Sequence, residues 1–176
     1  MEKPKVNFVV FYCEILQVRQ ASGYQIAFGR KMIESEELLT LMPHRGRMFL
    51  ISRVIKYDSG ERSIEAEYDI TEDCLFYDSL ADGVPAWAGF EFIAQAISAI
   101  IGIEVREKGL SPKKGYILGI SQTQISIPYF KTGSTLTIKS RELDGVDPVY
   151  IFTGEIFLND REVLSGKLTV MDVYDK

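Results

Sequence analysis

The chain carries one histidine, His44, and two cysteines, Cys13 and Cys74, far apart in the sequence. Zinc centres draw four ligands from such residues at short spacings, and no CxxC pair is present. No metal site is therefore expected, and the thiols are read as free in a reducing compartment. Basic residues are also short: 20 Lys and Arg against 25 Asp and Glu give a net charge of −5. Nucleic-acid and anionic-membrane surfaces need the opposite balance, so neither is expected as a partner. Apolar runs without charge stop short of the ~18 residues of a membrane span. The Asn7–Tyr12 stretch is broken by Glu14, with no small-residue cleavage site behind it, and a cytoplasmic location is expected. Nor is there a glycine-rich phosphate loop, a Ser–His–Asp order or an internal repeat.

What is present is a chain of 176 residues, 46% apolar and 26% charged, which suits a single domain with a real core. Its most informative stretch runs from Val84 to Ile103, where Glu91 is the only charged side chain. An ionised carboxylate is costly to bury in an apolar helix. Such a group is paired, or has a raised pKa, or does acid–base work. Gln95 follows one helical turn later on the same face. It is placed to orient that carboxyl, to bind a carbonyl, or to make a structural hydrogen bond.

Residues 1–31 differ from the rest. Asn7–Val18 and Tyr24–Phe28 read as two strands about a Ser22-Gly23 turn, or as an arm outside the domain. Met32 opens the part with a clear pattern, so the division is 1–31, an N-terminal extension, and 32–176, the domain. Ser35 is placed to cap a short helix ended by Pro43, with Glu36 and Glu37 at its positive end. Met48–Tyr57 and Ser63–Ile70 read as a hairpin over Asp58-Ser59-Gly60, with Ile64, Ala66, Tyr68 and Ile70 on one face. After an irregular 71–84 comes a long helix from Pro85 to Glu107, ended by Gly109 and Pro112. Four strands follow, Tyr116–Ile127, Thr135–Leu143, Tyr150–Leu158 and Glu162–Val173, joined by short turns and hence antiparallel. The expected fold class is α+β, one antiparallel sheet wrapped around one buried helix. It leaves a sheet edge for a second subunit.

Three segments then carry a resemblance. They are Leu41-Met42-Pro43-His44-Arg45-Gly46-Arg47-Met48, Pro85-Ala86-Trp87-Ala88-Gly89-Phe90-Glu91-Phe92-Ile93-Ala94-Gln95, and Gly115-Tyr116-Ile117-Leu118-Gly119. The first resembles an L-P-H-R-x-P-M segment ahead of a first strand, the second a P-x-W-x-x-x-E-x-x-A-Q helix start, the third a glycine-flanked strand. Their order and spacing resemble the hotdog domain of bacterial β-hydroxyacyl-acyl carrier protein dehydratases, especially the dehydratase-like subfamily linked to aryl-polyene lipid synthesis. The match covers roughly residues 36–173. It implies a hotdog fold, a dimer with itself or with a second hotdog chain, and an acyl thioester carried on acyl carrier protein or coenzyme A. It implies no metal or redox cofactor. Glu91 matches the family's catalytic helix glutamate. The family's catalytic histidine sits in a G-H-F-P segment, but here Leu75–Gly83 contains no histidine, and Gly46 replaces the proline expected after His44-Arg45.

Dehydration of a 3-hydroxyacyl thioester needs a base for the Cα proton, an acid for the hydroxyl and a group to polarise the carbonyl. Glu91 is the acid–base candidate. His44 either supplies the histidine missing from 75–83 or braces its turn structurally. Gly89, near the helix start, would let a thioester approach backbone N–H groups. Tyr77, Asp78 and Asp82 lie where the family's histidine segment would be, and either hold water or the substrate hydroxyl or are ordinary loop residues. Trp87 is core or tunnel wall. Arg45, Arg47, Arg53, Lys113 and Lys114 are candidates for meeting an acidic carrier or its phosphopantetheine, or belong to an ordinary solvated surface. The expected function is a 3-hydroxyacyl thioester dehydratase-like protein of fatty-acid or polyene lipid synthesis. The fold equally supports a thioesterase in which Glu91 activates water, or a non-catalytic acyl-binding partner subunit.

Overall fold

The computed structural model describes residues 32–110 and 114–173. The two strands expected within 1–31, together with Cys13, Pro112 and Lys113, lie outside the described residues. Ile33–Glu34 (β1) leads directly into a helix, Ser35–Leu41 (α1). Ser35 is its first residue and not its cap; Glu34 takes that position without a side-chain cap bond. The helix ends at Met42, whose extended backbone is what a following proline imposes.

A hairpin follows, Arg53–Asp58 (β2) and Ser63–Asp69 (β3). The Asp58 carboxylate accepts the Gly60 and Glu61 N–H groups at 2.9 and 3.0 Å and so closes the turn. The strand expected from Met48 starts only at Arg53, because Gly46–Met48 winds into a 3-10 turn. Along β3 the period-2 pattern holds: Ile64, Ala66 and Tyr68 are buried, and Ile70 beyond them.

Gly83–Pro85 (β4) and a 3-10 turn, Ala86–Ala88, precede the long helix, Gly89–Glu107 (α2). The helix therefore begins later than the proline signal indicates, since Pro85 is spent on the strand. It stops where expected. Gly109 takes φ +64, its N–H bonds Arg106 O, and Leu110 N–H reaches back to Val105 O at 2.9 Å. That pair of bonds is the Schellman motif, and it needs the left-handed residue that glycine supplies.

The remaining strands are Lys114–Ile125 (β5), Tyr129–Lys131 (β6), Thr135–Val146 (β7), Val149–Leu158 (β8) and Arg161–Val173 (β9). β4 and β6 form a small separate pair that three-residue strands give no alternation to reveal. β7 and β8 run past the loop expected at Asp144–Pro148 until Val146 faces Val149, leaving a two-residue turn. Asn159 and Asp160, both at positive φ, form the β8–β9 turn.

Among the described residues the main sheet has seven antiparallel strands in the order β1-β2-β3-β7-β8-β9-β5. It wraps α2, which is the hotdog arrangement that the resemblance implies. Phe92, Ile93, Ile100 and Ile103 on the helix meet Ile64, Leu136, Ile138, Phe152 and Ile156 of the sheet in one core. Phe92 stacks between Tyr68 and Phe130, with ring centroids 4.8 and 6.1 Å away. Burial at roughly 1.5–3 kcal/mol for each large side chain holds α2 in place, since its isoleucines favour helix weakly. By length and composition Ala86–Glu107 would also suffice to cross a membrane, which the reading of short charge-free runs missed. Here that apolar surface is covered by the sheet.

Candidate active site

Glu91 lies in the first turn of α2, where the helix dipole favours a carboxylate. Its neighbours point inward with the core, and its side chain is only 14% exposed. Burial pushes its pKa above the ordinary carboxylate value, and one hydrogen bond from Gln95 opposes that rise. The bond runs from Gln95 Nε2 to Glu91 Oε1 at 2.9 Å.

Gln95 is fully buried, one turn along the helix. Its Nε2 also donates to Met48 O at 2.8 Å, and its Oε1 accepts from Leu50 N–H at 2.8 Å. One side chain thus fastens the 44–50 segment to the helix. The same segment brings His44 to Glu91: Nε2 stands 4.0 Å from Oε1, and the imidazole is 10% exposed. That distance exceeds a direct hydrogen bond. Burial and then the adjacent Arg45 charge lower the His44 pKa from 6.5 to about 4, so the ring is neutral at pH 7.

The segment is braced by its own cations. Arg45 donates to Met42 O at 2.5 Å and to His44 O at 2.7 Å. Arg47 donates to Asp73 O at 3.2 Å and Cys74 O at 3.1 Å, tying the His44 turn to the 71–82 loop. No local pattern signals this role, because the partners are backbone carbonyls 26 and 27 residues away. Arg53 forms ion pairs with Glu67 and Asp69 at 2.6 and 3.0 Å. These three arginines, for which the sequence leaves a carrier contact or a solvated surface, are all engaged within the chain.

The other candidates fall elsewhere. At Gly89 a Cβ would lie 2.7 Å from Ile156 Cδ1 and 2.9 Å from Leu164 Cδ1, so side chains of the sheet fill the space beside this glycine. Its N–H bonds Ala86 O and Trp87 O, which leaves it committed within the helix start. Tyr77 donates to Asp82 at 3.2 Å on the exposed side of the loop. Asp78 organises that loop, accepting from Leu80 N–H at 2.9 Å and from Tyr129 Oη at 3.3 Å. Trp87 is 57% exposed and meets Phe76 edge-on at 5.5 Å, so it belongs to the surface beside the helix start and not to the core.

Residues 36–176 match the family model of ApeP-like proteins, described as ApeP dehydratase. The chain is 30% identical over 108 residues to the 3-hydroxyacyl-acyl-carrier-protein dehydratase FabZ of Chlamydia trachomatis, spanning 60% of this chain and 69% of that one. It is 27% identical to FabZ of Campylobacter hominis over 82% of this chain and all of that one. Among solved structures it resembles the dehydratase heterocomplex ApeI:P from Xenorhabdus doucetiae, with a TM-score of 0.72 and 23% identity over 78% of this chain and 91% of that one. With four-fifths of its length under one family model and its helix glutamate in place, the chain belongs to the ApeP-like dehydratase family.

Proposed function

We propose that the chain dehydrates a 3-hydroxyacyl thioester, with Glu91 and His44 as its acid–base pair. The observation that carries this is the buried Glu91 carboxyl with a neutral imidazole 4.0 Å away. Elimination breaks a C2–H bond and the C3–O bond, forms the C2=C3 double bond and releases water. Neutral His44 takes the C2 proton. Glu91, whose protonated form burial favours, gives a proton to the departing hydroxyl. Proton exchange with solvent then restores both groups. His44 in this reading replaces the histidine absent from 75–83. FabZ relatives named for acyl-carrier-protein substrates support a carrier-bound thioester.

The second subunit of this proposal is another hotdog chain. Among the described residues β5 is paired on one side only, by β9, and exposes Ile117, Leu118 and Ile125. A long unpaired edge with apolar side chains favours strand-to-strand association. Light scattering of the purified chain separates a homodimer from a monomer that awaits a different hotdog partner.

Mass spectrometry of 3-hydroxyacyl thioesters on carrier protein and on coenzyme A tests the reaction. Loss of water, abolished in Glu91→Gln and His44→Gln, is the expected result. Release of free acid and thiol would make the chain a thioesterase. An unchanged substrate across chain lengths, from folded protein, would overturn the catalytic assignment in favour of an acyl-binding subunit.

A further inference from the structure

The Gln95 amide is held in one orientation by two backbone groups of fixed polarity. Leu50 N–H can only donate, and Met48 O can only accept. Flipping the amide would face donor to donor and acceptor to acceptor in a fully buried site. The second proton of Nε2 is therefore always directed at Glu91 Oε1, 2.9 Å away. A proton on Oε1 would collide with that N–H.

We propose that Gln95 is the positioning residue of this site: it holds Glu91 Oε1 as an acceptor in both protonation states, so that Oε2 carries and exchanges the proton. The same side chain fixes the backbone that follows His44, so the two members of the pair are located by one amide. The ionisable groups that bear on the site are His44, 4.0 Å from Glu91, and Arg45, whose charge acts on His44. The catalytic consequence rests on the acid–base role proposed above for Glu91; the hydrogen-bond consequence does not.

Donation to the carboxylate favours its charged form, so losing the donor tightens proton binding at Glu91. A hydrogen bond to a charged group corresponds to about tenfold or more in that affinity. Two NMR measurements test this. In the wild-type chain, with glutamate labelled at Cδ and the Gln95 amide at Nε2, one amide proton is expected to shift at the same pH midpoint as the Glu91 carboxyl. It should stay protected from exchange on both sides of that midpoint. Amide signals indifferent to pH, or lost to exchange once Glu91 is protonated, would overturn the proposal without any mutation.

The variant is Gln95→Glu, whose protonated carboxyl can still accept from Leu50 N–H and donate to Met48 O, but offers Glu91 no N–H. The Glu91 midpoint should rise by about tenfold in proton affinity, and the matching limb of the kcat/KM pH profile should move with it. A purely structural Gln95 would lower stability and leave both midpoints where they were, which would also overturn the proposal. An NMR shift in a protein with no dehydratase activity would instead uphold Gln95 and remove the reaction.

Discussion

Acidification should destabilise this protein through His44. The perturbation is a drop from pH 7 to pH 5, in wild type and in His44→Gln. The imidazole has an ordinary value of 6.5 in the unfolded chain and about 4 in the folded one. As pH falls, the unfolded chain binds the proton first, so stability present above 6.5 drains away down to about 4. At pH 5 the unfolded state is favoured by a factor of about thirty, or about 2 kcal/mol, whereas at pH 7 the effect is only a few tenths. Protonated His44 would gain some attraction from Glu91 at 4.0 Å, but burial favours the uncharged carboxyl in the same range, which weakens it. Urea unfolding at both pH values reads the effect. Wild type should lose about 2 kcal/mol more than the variant between the two. Equal losses would refute the desolvation reasoning, and a gain at pH 5 would mean that a His44–Glu91 ion pair outweighs burial.

Glu91→Gln should lower kcat by roughly 10²–10⁴-fold, yet melt at higher temperature than wild type at pH 8: its raised pKa means stability is lost as pH rises through the folded value, and glutamine cannot ionise. Rate assays and melting curves at pH 5 and pH 8 check both halves. The double variant Glu91→Gln with His44→Gln should be no slower than the worse single one, measured as kcat/KM. Gly102→Ala would place a Cβ 2.3 Å from the Leu41 carbonyl oxygen of α1. That backbone cannot swing aside, so an overpacking cost of about 1–3 kcal/mol should exceed the ~1 kcal/mol gain in helix propensity, seen as a lower urea midpoint. Arg62 bridges Glu104, at 2.9 Å, and Glu142, and stacks on Tyr150 at 4.4 Å. Arg62→Met should cost about 2–3 kcal/mol, because it takes this cation from Glu142 and leaves Glu104 only its exposed Lys108 partner; chemical denaturation checks it.

The long strands and the buried helix were legible because their patterns repeat. Ile64, Ala66 and Tyr68 alternate, and the apolar run after Glu91 has only one long segment to become. Elements without room for a period were not legible: β1, β4 and β6 exist because tertiary partners supply their hydrogen bonds. The site divided in the same way. A lone carboxylate in an apolar helix announces itself, and Gln95 one turn later shares its face. That Gln95 would close on Met48 O and Leu50 N–H could not be read, since those bonds join residues 47 and 45 positions apart. The surroundings of Gly89 were hidden for a related reason. Space at a glycine is visible in sequence, but whether a substrate or an isoleucine fills it depends on the sheet packed against it.

Burial acts in opposite senses on the two ionisable groups of the site. It favours the protonated form of Glu91 and the neutral form of His44. Both are uncharged in the interval bounded below by about 4, where His44 takes a proton, and above by the raised value of Glu91. An elimination that removes one proton and supplies another turns this neutral pair into an imidazolium and a carboxylate. At a separation of 4.0 Å those charges attract, and more strongly in a water-poor site than in solvent. The desolvation that each group suffers alone is thus offset when both have reacted. This makes the pair suited to chemistry that moves two protons together, and gives a physical reason for their proximity even though the 75–83 loop carries no histidine. A glutamate activating water for hydrolysis would instead need to begin as the carboxylate, which is the form that burial here disfavours.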